Sequence, residues 1–197
     1  MAVTRERIVE EAARLFNRRG YRGTTLDAVA RALGVTRPAL YYHVSSKEEL
    51  LFQCYKVPIE IGLDGIRRAV AASDLPDEQL RLALAYYIER MTDDLSGSVV
   101  LLEEGTLSAA HRQQITAWRD QYEREVRAIV VRGIEAGVFV RCDPKLVGFA
   151  FLGAANWIPK WYDAKGSRSG KEIAQVFAAY LVRGLQKHPG LEAIEPA

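Results

Sequence analysis

The chain has 197 residues, 49% hydrophobic and 26% charged, with a formal net charge of +2. That length can bury a sizeable core, in one domain or two small ones. No apolar run approaches the roughly 20 residues of a membrane-crossing helix, and Cys54 and Cys142 are too few and too isolated for a disulfide framework or a metal site.

Charge is unevenly spread. Residues 1–50 hold nine Lys/Arg against six Asp/Glu, a net of +3, which leaves 18 against 19 for the rest. The basic quarter is where a phosphate-facing module belongs. The first helix carries Ile8, Ala12, Leu15 and Phe16 on its inner stripe and ends near Gly20. Charges interrupt its apolar pattern, so it reads as an amphipathic helix and no signal peptide.

Residues Thr25 to Leu51 are the most informative segment. Leu26, Val29, Ala30 and Leu33 recur at helical spacing and predict one buried face. Gly34 sits where a left-handed residue stops a helix, with Val35 packing back under the turn. Thr36 then caps a third, short helix that tolerates Pro38 in its first turn. Thr36, Arg37, Tyr41, Tyr42 and His43 are not needed for the core. A short polar, aromatic-rich helix held by another helix is what a helix-turn-helix presents to the DNA major groove.

A capping box, Ser46 to Glu49, opens a fourth helix, in which Pro58 predicts a kink before Ile59, Leu63 and Ile66 resume the pattern. After a loop at 72–76, a helix is expected from about Asp77 to Leu95, broken by Ser96-Gly97-Ser98. A long helix follows from Ala109 to Ala136, stopped by Gly137. Asp143-Pro144 starts another that reaches Trp161. A Gly/Ser-rich loop and a second capping box, Ser169 to Glu172, precede a last helix to about Gln186, ended by Pro189. A short extended piece at Val138–Val140 is the one exception to an all-α class of about nine helices.

The residues Thr24-Thr25-Leu26, Ala30, Gly34-Val35, Leu40-Tyr41-Tyr42-His43 and Lys47-Glu48-Glu49-Leu50 resemble the tetracycline-repressor (TetR) family of bacterial regulators. Val44 departs from the phenylalanine usual in the family. The resemblance implies a helix-turn-helix domain over residues 1–50 and a ligand-binding, dimerisation domain over 51–197. It implies a homodimer on a double-stranded, pseudo-palindromic DNA operator, most simply a repressor released by a small hydrophobic effector. Arg37 is the candidate base reader, because its fork can pair with guanine. Thr36, Pro38 and Tyr41 are candidates for bases or thymine methyls, while Thr25, Tyr42, His43 and Lys47 suit phosphates. Tyr41 also fits the domain core, and His43 and Lys47 also fit a plain solvated surface.

On the last helix Ile173, Val176, Phe177, Tyr180, Leu181 and Leu185 make one apolar face, and the preceding helix holds Leu146, Phe149, Ala150, Gly153 and Ala154; both are candidate dimer surfaces, or else complete a monomer core. The stretch Phe151–Tyr162 resembles, less specifically, the acyl-coenzyme A sensors of the family. Trp157 and Trp161 are four apart on one helical face, with Asn156 and Lys160 beside them and Arg119 as a second anion partner. The bland reading of two such tryptophans is core or interface. The alternative effector is a drug-like or aromatic ligand controlling an efflux or catabolic operon. No nucleophile elbow, phosphate-cradling glycine loop or metal-ligand spacing supports an enzyme. The expectation is a cytoplasmic chain with no catalytic residue, metal or cofactor and no membrane association.

Overall fold

Helix caps written into the sequence set most of the element boundaries. The computed structural model describes residues 3–93 and 106–188, and these contain eight α-helices: α1 (Arg5–Arg19), α2 (Leu26–Leu33), α3 (Arg37–Tyr41), α4 (Lys47–Ala72), α5 (Pro76–Thr92), α6 (Ala109–Glu135), α7 (Pro144–Trp161) and α8 (Gly170–Arg183). Thr4, Thr25, Thr36, Asp143 and Ser169 each accept a first-turn N–H with the side chain. Ser169 and Glu172 form the full reciprocal capping box.

Three boundaries differ from the sequence reading. At α4, Ser46 Oγ accepts the Glu49 N–H, but the Glu49 carboxylate reaches Ser45 rather than the Ser46 backbone. The box is therefore shared between two serines. The last helix stops at Arg183, because the chain turns extended there: Leu185 O accepts from Val140 N, Lys187 N donates to Val138 O, and Phe139 pairs with Gln186 in an isolated antiparallel bridge. The expected extended piece at 138–140 is thus present, without a strand among the described residues. α5 ends at Thr92, and the expected break at Ser96-Gly97-Ser98 lies outside the described residues. α4 continues through Pro58 as one helix.

The described residues fall into two compact units that do not follow chain order. Residues 3–58 and 106–117 form unit 1, and 59–93 with 118–188 form unit 2. The division at residue 50 is a functional expectation; packing carries the first unit on to Pro58 and adds the start of α6. In unit 1, α1 packs on α2 and α2 on α3. Its core holds Ile8, Leu15, Phe16, Val29, Leu40, Val44, Leu50 and Tyr55. Leu26 and Leu33 are only half-buried, so the buried face of α2 narrows to Val29 and Ala30.

In unit 2, α5 packs on both α7 and α8. Its core includes Leu84, Ile88, Ile129, Phe139, Phe151, Ile158 and Val182. Gln79 is buried but satisfied: its amide donates to Ser73 O at 2.6 Å, and its carbonyl accepts from Arg132 at 2.7 Å. Among the described residues, no helix is long and apolar enough to cross a membrane.

Candidate nucleic-acid interface and effector site

The reading helix α3 is built by its flanks. α2 ends at Gly34 in the left-handed conformation (φ 68°, ψ 29°), and Val35 N–H closes back onto Ala30 O at 3.0 Å. A side chain at Gly34 would be strained by that φ, which is why glycine stops the helix here. Thr36 then restarts the chain as the cap of α3, and only Leu40 of this helix is buried. The remaining positions are free to face a ligand as large as a groove.

Arg37 stands out among them. Its Nε lies 3.2 Å from Asp27 Oδ1 of α2, and a terminal nitrogen donates to the Tyr41 hydroxyl at 3.3 Å, with the guanidinium 5.4 Å from the Tyr41 ring centroid. The Tyr41 hydrogen bond and the Asp27 charge raise its basicity further. The side chain is nevertheless 62% exposed, so the fork is aimed rather than hidden. Tyr41 is exposed too and belongs to this surface rather than to the core. Tyr42 is 87% exposed and meets His43 edge-on, with the centroids 5.2 Å apart. Thr25, Thr36 and Pro38 are exposed at the helix starts, where Thr25 Oγ1 accepts the Ala28 N–H at 3.1 Å.

Lys47 is tied back into the domain. Its ammonium donates to Tyr21 O and Thr24 O, both at 2.8 Å, and sits 4.1 Å from the Tyr21 ring centroid. Partial burial lowers its pKa. Two donors are spent holding the α1–α2 turn, so its first role here is structural. The same turn is secured by Thr24, a fully buried residue whose hydroxyl lies 3.1 Å from Leu15 O and 2.9 Å from Gly20 O. Glu49 meanwhile pairs with Arg5 at 2.7 Å. Spacing gives no hint of these long-range tethers.

In unit 2 the five expected ligand residues separate into two groups. Asn156 turns inward, its carbonyl accepting from the buried Tyr87 hydroxyl at 2.7 Å. Burial pushes the Tyr87 phenol up, and the nearby Arg119 charge works against that shift. Tyr122 lies beside Tyr87 with centroids 6.5 Å apart, its phenol also pushed up by burial. Trp157, Lys160 and Trp161 instead face outward, with Trp161 stacked on Phe177 at 6.0 Å. They share the exposed side of α7 with Leu146 and Phe149, while Tyr180 of α8 is 71% exposed. Ile173 and Leu185, expected at the dimer surface, are buried within unit 2.

Ile66, Leu84, Tyr122, Val126, Ile129 and Phe151 border a cavity of about 10 Å³. Outside it, sharing Ile66, a hollow of about 810 Å³ is lined by Asp64 and Arg67 of α4, Tyr86 and Arg90 of α5, and Gln121 and Glu125 of α6. Asp64 is held below the usual carboxylate range chiefly by Arg68, at 2.7 Å, and by the Tyr86 hydroxyl, at 2.8 Å. No cluster of metal-ligating side chains occurs among the described residues.

Comparison with known proteins is consistent along the chain. Residues 8–54 match the family described as bacterial regulatory proteins, tetR family, and residues 73–185 match the tetracyclin repressor-like C-terminal domain. The TetR-family regulator PfmR from Thermus thermophilus is 33% identical with a TM-score of 0.79, covering 91% of this chain and 99% of that one. The HTH-type transcriptional repressor KstR2 of Mycobacterium tuberculosis is 26% identical over 93% of both chains. AibR, solved in complex with isovaleryl coenzyme A and operator DNA, is 28% identical with a TM-score of 0.73, covering 91% of this chain and 98% of that one.

Proposed function

This chain belongs to the tetR family of bacterial regulatory proteins, and from that premise we propose that it is a repressor released from its operator by a coenzyme A thioester. The observation that carries the DNA-reading part is Arg37, exposed on α3 and steered by Asp27 and Tyr41. Two copies, paired through the outward side of α7 and α8, would set two such helices in successive major grooves. Thr36, Pro38 and Tyr41 accompany Arg37 at the bases, with Thr25, Tyr42, His43 and Lys47 on the phosphates. Residues 1–50 act as the reading head and 51–197 as the effector and dimer part. No catalytic step belongs to this reading, and the protein works in the cytoplasm.

The thioester rests on the likeness to AibR and on the space available. A hollow of about 810 Å³ falls within the roughly 300–1,000 Å³ typical of small-molecule sites. Arg67 and Arg90 offer cations to a phosphorylated head, while Arg119 and Asn156 both act on Tyr87, outside that lining. The outward tryptophans fit the dimer surface better than a ligand wall. The likeness to AibR is also what favours a thioester over a drug-like or aromatic effector.

Release requires that the effector prefer the conformation that does not hold DNA. A coupling of about 1–3 kcal/mol corresponds to roughly 5–150-fold weaker operator binding. Calorimetry with isovaleryl-coenzyme A and longer-chain thioesters, followed by gel shifts on the DNA upstream of the gene, tests both halves. Saturable heat and a fivefold or greater loss of operator affinity are expected. Absence of heat at millimolar thioester overturns the effector assignment, while sequence-indifferent gel shifts overturn the repressor assignment.

A further inference from the structure

From residue 12 to residue 26 the chain holds four arginines and no Asp or Glu. Three of them, Arg18, Arg19 and Arg22, lie at the end of α1 and in the turn that leads to α2, and all three are exposed. Elsewhere in unit 1, Arg5, Arg14 and Arg37 each meet a carboxylate, from Glu49, Glu11 and Asp27 in turn. Arg18, Arg19 and Arg22 make no such ion pair among the described residues.

The turn beneath them is held in one shape. Its own Thr24 N–H donates to Tyr21 O at 3.2 Å. The Thr24 hydroxyl and the Lys47 ammonium between them lie against the carbonyls of Leu15, Gly20, Tyr21 and Thr24. Gly23 folds back over the end of α1, where a Cβ would collide with the Arg19 carbonyl and stand 3.4 Å from the Arg19 Cβ. Arg19 and Arg22 therefore start from touching pieces of backbone. A merely solvated cation gains nothing from so firm a base. Two like charges fixed close together, with no carboxylate beside them, repel each other unless an anion stands between them.

We propose that Arg19 and Arg22 clamp a DNA phosphate next to those held by Thr25 and Lys47, so that each half-site is gripped beyond the groove that α3 enters. The clamp rests on the repressor reading above, in which Thr25 and Lys47 lie on the phosphates. Its occupant is the DNA backbone because the turn is continuous with that surface. Arg22 precedes Thr25, the cap of α2, by three positions, and Lys47 binds the carbonyl of the adjoining Tyr21. Guanidinium forks also match the oxygens of a phosphate. Such contacts fix register without reading sequence, so the clamp adds affinity and salt dependence and leaves base preference to Arg37.

The salt dependence of binding counts such contacts. The full-length protein first selects a duplex from a random-sequence pool, and its affinity for that duplex is then measured between about 50 and 200 mM salt. Each neutralised phosphate contributes about 0.9 to the slope of log affinity against log salt, so Arg19→Gln with Arg22→Gln should lower the slope of a dimer by about 2. Arg19→Lys with Arg22→Lys keeps the charges and should keep the slope. Arg141→Gln, an exposed charge of unit 2, should lower it by less than about 0.5. An unchanged slope in the double Gln protein, or a fall as large in Arg141→Gln, overturns the clamp. Ethylation interference on the unaltered protein should mark a phosphate outside each half-site. Should the double Gln protein fail to fold, the absence of that mark overturns the clamp by itself. Sequence-indifferent binding by the unaltered protein overturns the repressor reading instead, while the slopes still count the clamp.

Discussion

Unit 1 and unit 2 differ in the residues that make their closest contacts. In unit 1, polar side chains are spent on backbone: Thr24 and Lys47 bind carbonyls of the α1–α2 turn, and Glu49 binds the Ser45 N–H. In unit 2, glycines also lie beneath aromatic rings, with Tyr122 on Gly62 and Phe139 on Gly133, beside polar tethers such as Gln79 on Ser73 O. Directional bonds hold one geometry, whereas a ring on a glycine leaves at the cost of dispersion and burial alone. A reading head must present Arg37 at a fixed angle, and an effector site must yield. The two units are built accordingly.

The largest expected effect probes the apolar side of that contrast. Phe139 is 1% exposed and fills the space over Gly133, so Phe139→Ala should cost about 3–5 kcal/mol in urea unfolding. A loss below about 1 kcal/mol would mean that ring and glycine contribute little and that the contrast fails. An intermediate effect separates the two basic residues of the head. Arg37→Ala should lose about 1–3 kcal/mol of discrimination at one base position in each half-site and keep its melting temperature. Lys47→Ala should lower the melting temperature and weaken all sequences alike. Should Lys47→Ala melt normally yet reduce the salt dependence of binding, the residue contacts phosphate as its family position implies.

The smallest effect concerns acid. The Ser108 N–H, foremost, and His111 hold the Glu48 carboxyl below its ordinary 4.5. Burial alone would raise Glu49, but Ser45 and Arg5 outweigh it and leave it lowered as well. Both carboxylates have a depressed folded pKa, so their stabilisation is present above 4.5 and lost as pH falls through the lower folded values. Melting curves from pH 6 to 3 should fall across that window, and less steeply for Glu48→Gln. Identical slopes would show that the carboxylate gains nothing from Ser108 and His111.

Local signals were legible in the sequence. Gly34, Thr36, Asp143 and Ser169 stand at helix ends because caps act over three or four residues, a range that spacing can read. The face shared by Trp157 and Trp161 was equally visible, but periodicity does not say which side of α7 is covered. Partners far apart in the chain were hidden: Asn156 finds Tyr87 across 69 positions, and His111 finds Glu48 across 63. The misplaced end of α8 has the same origin, since Leu185–Lys187 leave the helix to pair with a segment more than 40 residues earlier. The carbonyls that Lys47 reaches were hidden likewise, Tyr21 lying 26 positions and Thr24 23 positions before it.

The interleaving of the units also bears on synthesis. The N-terminal head cannot acquire its brace when its own helices emerge from the ribosome, because Ser108 lies 60 positions after Glu48. At translation rates of about 5–20 residues per second, that gap is roughly 3–12 s. During this interval α1 to α3 can fold while the first turn of α4 still lacks its partner on α6. A nascent chain would therefore carry a DNA-reading surface before the Glu48 carboxylate meets Ser108 and His111.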